Sequence, residues 1–300
     1  MEIWILITIG AATAQTLRFM LQKRLKGMAL STAGATFARF IYSSPLVAVI
    51  AIVYATASGQ GMPDIPATFW PYMLAGGTSQ ILATMCVVAL FSHRNFAVGI
   101  TFKKTEVLLS AFFGFLILGD TFTTLTIIAM LIGLGGVLLL SDPPGGVGPW
   151  HQRIFNRATA LGLGAGVLFG ISGNGYRGAS LSLGDGDVFY RAIITLALVT
   201  AFQTIAMALW LVWRERGEIL RVLASWRVAG MVGITSMIGS ICWFTAFTLQ
   251  NAAYVNAVGQ IELLFSLMIG AFVFSEKVSA REWQGLILLT CSIIMLVLLL

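Results

Sequence analysis

Four charged side chains lie far inside long apolar stretches of this sequence: Lys103, Lys104, Glu106 and Glu262. A charge at the centre of a bilayer costs roughly 2.5 kcal/mol or more, so such residues pair with one another or line a wet cavity. Lys103 and Glu106 are three residues apart, which on a helix puts them on one face, and Ser110 and Gly114 continue that stripe. Gly259, Glu262, Ser266 and Gly270 repeat the arrangement later in the chain. Stripes of polar and small residues face protein or a cavity, because lipid would leave their groups unsatisfied. Lys104 and its counterpart Gln260 are turned about 100° from the glutamates, in a direction that suits contact with a ligand. Two readings stand. Either Lys103 neutralises Glu106 and Glu262 has a structural partner across the bundle, or these helices flank a substrate cavity in which each glutamate is a candidate proton-coupling group.

Further candidates for a cavity wall combine hydrogen-bonding and aromatic side chains: Gln80 and Thr84 in one segment, and Ser236, Ser240, Trp243 and Phe244 in another. Gly162, Gly166 and Gly170 recur every four residues, with Asn174 and Gly178 continuing the row, a spacing that lets a neighbouring backbone approach closely. Arg39 and Arg191 each lie about six residues or fewer from a helix start, within reach of the interface by snorkelling. The four deep charges then cancel, which favours a zwitterionic or neutral amphipathic substrate.

Other chemistries find little support. Cys86, Cys242 and Cys291 sit in apolar stretches, and neither they nor His93 and His151 have ligand spacing, so no metal is expected. Gly170-Ile171-Ser172-Gly173 resembles the serine motif of intramembrane proteases, but Ser172 is placed in a helix and both histidines in loops, so the base that a serine nucleophile needs is absent. The chain has no phosphate-binding Gly-x-x-x-x-Gly-Lys-Ser/Thr loop, so ATP coupling, cofactors and enzymatic activity are not expected.

The helices that carry these residues follow from composition. The chain has 300 residues, 58% hydrophobic and 10% charged, and belongs in lipid; its net charge of +6 lies in short connecting segments and serves topology rather than nucleic-acid binding. A span needs about 20 residues, and ten segments qualify: Ile3–Leu21, Ala33–Ala55, Pro71–Phe91, Phe96–Leu118, Phe122–Leu140, Ala158–Leu181, Val188–Trp213, Val228–Leu249, Ala253–Phe274 and Arg281–Leu300. Glu2 before the first apolar run and basic residues after it reverse the order of a secretory signal, so that run is expected to be retained. Lys and Arg gather in odd-numbered loops, Asp64, Asp120, Asp185 and Asp187 in even ones, which places odd loops in the cytoplasm and both termini outside. The Pro/Gly-rich stretch within residues 141–157 reads as a cytoplasmic linker between a first half, 1–140, and a second, 158–300.

Those halves are related. A shift of 156 residues aligns Cys86 with Cys242, Asn95 with Asn251, Glu106 with Glu262, Ser110 with Ser266 and Gly114 with Gly270, while a shift of 152 aligns Gly34, Phe37 and Arg39 with Gly186, Phe189 and Arg191. With five spans per half, the second half enters the bilayer inverted. The expected fold is therefore all-α: ten transmembrane helices in two inverted five-helix repeats. The paired units Asn95–Leu140 and Asn251–Leu300, with Gly119-Asp120 and Ser275-Glu276 at their turns, resemble the EamA-type ten-helix branch of the drug/metabolite transporter superfamily. The resemblance is stronger in the C-terminal copy, where Glu276 is followed by Gly285.

That resemblance implies a secondary transporter, often an exporter, of an amino acid or other small amphipathic metabolite, in a bacterial inner membrane. Its partners would be the substrate and the bilayer, without nucleic acid, and the chain would work as a monomer or homodimer by alternating access. A channel or scaffold without a carrier cycle is the alternative. The expected cavity residues are Lys103, Lys104, Glu106, Gln260, Glu262, Gln80, Ser240, Trp243 and Asn174, with Gln60→Ala in a loop as a neutral comparison.

Overall fold

The computed structural model describes residues 2–28, 30–61, 63–91, 103–140, 157–263, 265 and 280–299. Among these residues the chain is helical throughout, with eleven helices: α1 Ile3–Gly27, α2 Thr32–Ala57, α3 Phe69–Leu90, α4 Glu106–Leu118, α5 Thr124–Leu140, α6 Arg157–Ser182, α7 Val188–Arg214, α8 Glu218–Ala224, α9 Trp226–Leu249, α10 Ala252–Gly259 and α11 Ala280–Leu298. Five of them, α1, α2, α3, α7 and α9, are long and apolar enough to cross a membrane. Their outward faces carry Leu209, Val212, Trp213, Val49 and Val53, an apolar exterior that water would not tolerate over this extent. The Pro/Gly-rich linker, His93, His151, Asn95, Ser266, Gly270 and the Ser275-Glu276 turn lie outside the described residues.

Helix ends follow local chemistry. Ser31 caps α2 by accepting from the Gly34 N–H at 2.9 Å, and Asp187 caps α7 by accepting from the Tyr190 N–H at 2.9 Å. Gly119 ends α4 in the left-handed region, φ 71°, where a Cβ would be strained.

Packing depends on where small residues fall. α3 lies most extensively on α6, α1 on α9, α2 on α7, and α5 on α11. A Cβ on Gly175 of α6 would come within 2.8 Å of Gly76 Cα in α3, and one on Gly178 within 2.6 Å of the Tyr72 ring. Gly170, from the glycine row that the spacing picks out, meets instead the Leu109–Ser110 backbone of α4 at 3.2 Å. Thus α6 uses small residues to admit two neighbours.

The short helix α8 falls in a loop rich in arginine that the sequence reading treated only as a topology signal. Its Glu218 is fully buried, accepting from the Ser31 N–H at 2.6 Å and pairing with Arg221 at 3.0 Å. It closes over Gly34, whose missing side chain makes the room. At the opposite ends of α2 and α7, Gln60 accepts from the Asp187 N–H at 3.0 Å and donates to Asp187 Oδ2 at 2.6 Å, while Tyr54 donates to the same oxygen at 3.0 Å. Gln60→Ala is therefore not a neutral change, because it removes a bridge between the two halves of the chain.

Candidate functional site

Helices α1, α2, α3, α4, α6, α9 and α10 surround a narrow cavity of about 40 Å³. Its charged wall comes from the first half of the chain: Arg39 of α2, and Lys103 and Glu106 at the start of α4, with Gln15 of α1 and Gln80 of α3 beside them. Its aromatic wall comes from the second half: Phe169 and Tyr176 of α6, and Trp243, Phe244 and Phe247 of α9. Tyr176 stacks on Phe244 at 4.2 Å between ring centroids, and Trp243 on Phe247 at 5.6 Å. An apolar, aromatic wall facing a few convergent polar groups is the lining that small-molecule sites have in common.

Buried charges organise the polar side. Lys103 Nζ meets Glu106 Oε1 at 3.0 Å and also lies 4.9 Å from the Phe169 ring centroid. Lys104 pairs directly with Glu262, whose second carboxylate oxygen accepts from Gln15 at 2.9 Å. Gln15 in turn accepts from Arg18 at 3.3 Å, which extends the network along α1. The ion pair Lys104–Glu262 thereby ties the two halves together beside the cavity.

Arg39 departs from the expectation that it snorkels. It is 5% exposed, and its guanidinium donates to Ser236 at 2.9 Å, Thr84 at 3.1 Å and Ser240 at 3.4 Å. With the Gln80 amide in its hydrogen-bonded orientation, Gln80 Oε1 also accepts from Arg39 Nη1 at 2.8 Å and Nη2 at 3.0 Å, and its nitrogen donates to Ser172 at 2.7 Å. The reason is the bundle: α3 and α9 present hydroxyls and an amide to this position, so the side chain is satisfied inside and need not reach the interface. Arg191, its counterpart one turn into α7, is only half-buried.

The helix backbone is interrupted here as well. Lys104 and Thr105 form a turn immediately before α4, and Gln260 forms a turn immediately after α10, before helical residues resume at Ile261. Gln260 N–H bonds to Ala257 O at 3.1 Å and Leu263 N–H to Gln260 O at 2.9 Å, the tighter pattern of a locally distorted helix. Lys104 and Gln260 are the pair that the 156-residue shift aligns, and neither position carries a proline that would announce a break.

Of the expected cavity residues, Lys103, Glu106, Gln80, Ser240 and Trp243 lie on the cavity wall. Lys104 and Gln260 instead line a smaller, mostly apolar space between α4, α5, α10 and α11. Glu262 pairs with Lys104 at the edge. Asn174 is at the α4–α6 interface, its amide donating to Ser110 O and Gly170 O, both at 2.9 Å, away from the cavity wall. Sequence reasoning missed Gln15, Arg18, Tyr176 and Asn256. Arg18 carries the same signal that selects Lys103, a charge inside an apolar span, whereas Tyr176 and Asn256 have no distinguishing local pattern.

The comparisons with known proteins bear on this assembly. A family model described as the EamA-like transporter family matches residues 157–298. This half belongs to the EamA-like transporter family. The family is part of the drug/metabolite transporter superfamily, and with the apolar membrane-length helices it makes the chain an integral membrane protein of a transporter type. Among solved structures 28 chains match, one of them, described only as a crystal structure of a protein, at 16% identity with a TM-score of 0.64 over 97% of this chain and 99% of its own. At that identity the likeness speaks to fold alone. No curated protein matches the sequence. The EamA-like half supplies the entire aromatic wall of the cavity, and all of the charged residues on the wall come from the half that precedes it.

Proposed function

We propose that the protein is a secondary transporter that moves a small amphipathic metabolite by alternating access between two inverted five-helix repeats. The observation that carries this reading is the pair of helix interruptions, at Lys104 before α4 and at Gln260 after α10, in positions that the internal repeat makes equivalent. Broken helices at a repeat interface flank the substrate sites of carriers built from inverted repeats, and Lys103 and Glu106, on either side of the Lys104–Thr105 turn, line the cavity. The helix pairings support it further: α3 on α6 has as its counterpart α9 on α1, and α2–α7 and α5–α11 each pair equivalents. A two-fold relation of this kind lets the repeats exchange conformations and turn the site from one face to the other. Both termini outside fits the distribution of Lys and Arg, and export from a bacterial cytoplasm is what the family resemblance implies. Proton coupling through Glu106 or Glu262 and assembly as monomer or homodimer belong to the same reading.

Counterflow in proteoliposomes tests it, with labelled amino acids, sugars, nucleobases and organic anions on one side and excess unlabelled compound on the other. Saturable exchange of one class, lost in Glu262→Ala and retained in the lipid-facing Val212→Ala, is the expected result. Flux that is linear in concentration would instead make the protein a channel, and folded protein without flux of any class would leave a scaffold.

A further inference from the structure

The charges around the cavity do not balance. Arg18, Arg39, Lys103 and Lys104 are all at most 5% exposed, and among the described residues the buried carboxylates beside these four cations are Glu106 and Glu262. Each carboxylate already faces a lysine. Arg39 is the cation on the cavity wall that has no carboxylate partner among the described residues: its contacts are the hydroxyls of Thr84, Ser236 and Ser240 and the Gln80 amide. Neutral acceptors satisfy its hydrogen bonds and leave its charge in a low-dielectric surround, where an uncompensated ion is costly. On the facing wall, the buried indole N–H of Trp243 likewise has no acceptor among the described residues. Two donors without an acidic acceptor therefore share one cavity with two stacked aromatic pairs.

We propose that this cavity takes a small organic anion, with its acidic group on Arg39 and its flat apolar part against the wall of Tyr176, Phe244, Trp243 and Phe247. The proposal rests on the transporter reading and narrows its substrate from zwitterionic or neutral compounds to acidic ones. The earlier preference assumed that the deep charges cancel; burial of Arg39 and Arg18 leaves an excess of two positive charges among the described residues. A guanidinium suits a carboxylate because its planar fork presents parallel donors. An ammonium group on the ligand would have to compete with Lys103 for Glu106, which makes a zwitterion the weaker fit.

The test uses four probes with one skeleton: phenylacetate, phenylacetamide, phenethylamine and phenylalanine, each measured by counterflow and by thermal stabilisation of the purified protein in detergent. Phenylacetate is expected to exchange saturably and to stabilise the protein, with the amide and amine weaker by roughly tenfold or more, the factor carried by a lost charge-assisted hydrogen bond. Arg39→Gln should abolish the preference for acid over amide, and Arg39→Lys should keep part of it. The comparison of acid with amide on the unaltered protein decides the matter even if Arg39→Gln fails to fold. Equal behaviour of acid and amide, or preference for the amine or the zwitterion, overturns the anion site and leaves the carrier standing. Stabilisation by phenylacetate without any counterflow upholds the anion site and removes the carrier reading. Absence of both responses to phenylacetate overturns the proposal.

Discussion

Lys104 and Glu262 are 158 residues apart in sequence and meet as a buried ion pair, each at most 7% exposed. A buried pair returns little net stability against its hydrophobic replacement, yet breaking it leaves an unpaired charge at a cost of roughly 3 kcal/mol. Lys104→Met and Glu262→Gln are each expected to lower the melting temperature in detergent by that mechanism, whereas Lys104→Met with Glu262→Met should recover most of it. Scanning fluorimetry on the purified variants checks the stability, and counterflow checks function. Restored melting with lost transport separates a working pair from a structural one. Restored transport in the double variant would remove the pair from the mechanism. The contrast with Arg39 is instructive, since that residue has hydroxyl partners on α3 and α9 and no carboxylate among the described residues.

At the scale of elements, α7 depends on its N-cap. Burial works against the ionised form of Asp187, but the hydrogen bonds from the Tyr190 N–H, Gln60, Tyr54 and the Phe189 N–H outweigh it and hold the carboxyl below its ordinary value. A carboxylate whose folded pKa is depressed stabilises the fold above its unfolded pKa, and that contribution is lost as pH falls through the folded value. Melting temperature should therefore drop as pH is lowered from about 5 through and below the ordinary aspartate pKa of about 3.9, and Asp187→Asn, which keeps a capping oxygen, should flatten that dependence. Asp187→Ala should cost about 1 kcal/mol at neutral pH through the lost cap. A pH profile in Asp187→Asn as steep as that of the unaltered protein would assign the acid sensitivity elsewhere. Asp120, in the turn after α4, behaves in the opposite sense: burial raises its carboxyl although Arg177, 3.8 Å away, pulls it down.

For the whole molecule, the proposed inversion of the repeats makes a prediction that needs no substrate. Ser58 follows α2 and Arg216 follows α7, equivalent helices in the two halves, and both residues are exposed. In a background without Cys86, Cys242 and Cys291, Ser58→Cys should react with a membrane-impermeant maleimide on intact cells, and Arg216→Cys only after permeabilisation. Exchange of the two outcomes would reverse the orientation taken from Lys and Arg. Labelling of both from one side would exclude inverted repeats.

The membrane setting and the order of helices are legible in the chain's local pattern, because apolar runs near twenty residues and flanking charges are local signals. The span Ala33–Ala55 corresponds to α2 at Thr32–Ala57, and Val188–Trp213 to α7 at Val188–Arg214. The local pattern also selected Lys103, Glu106, Gln80, Ser240 and Trp243, since polar groups in lipid need partners wherever they fall, while the second half of Ala253–Phe274 lies largely outside the described residues. Which partners those are is set by the folded bundle. The fate of Arg39 depends on hydroxyls 45, 197 and 201 residues away in the chain, and no local pattern encodes such a meeting. The breaks at Lys104 and Gln260, the burial of Glu218 of α8 against the start of α2 and the division of the cavity into a charged and an aromatic wall arise likewise from packing between distant segments, where the balance between burial and hydrogen bonding is set by neighbours rather than by sequence.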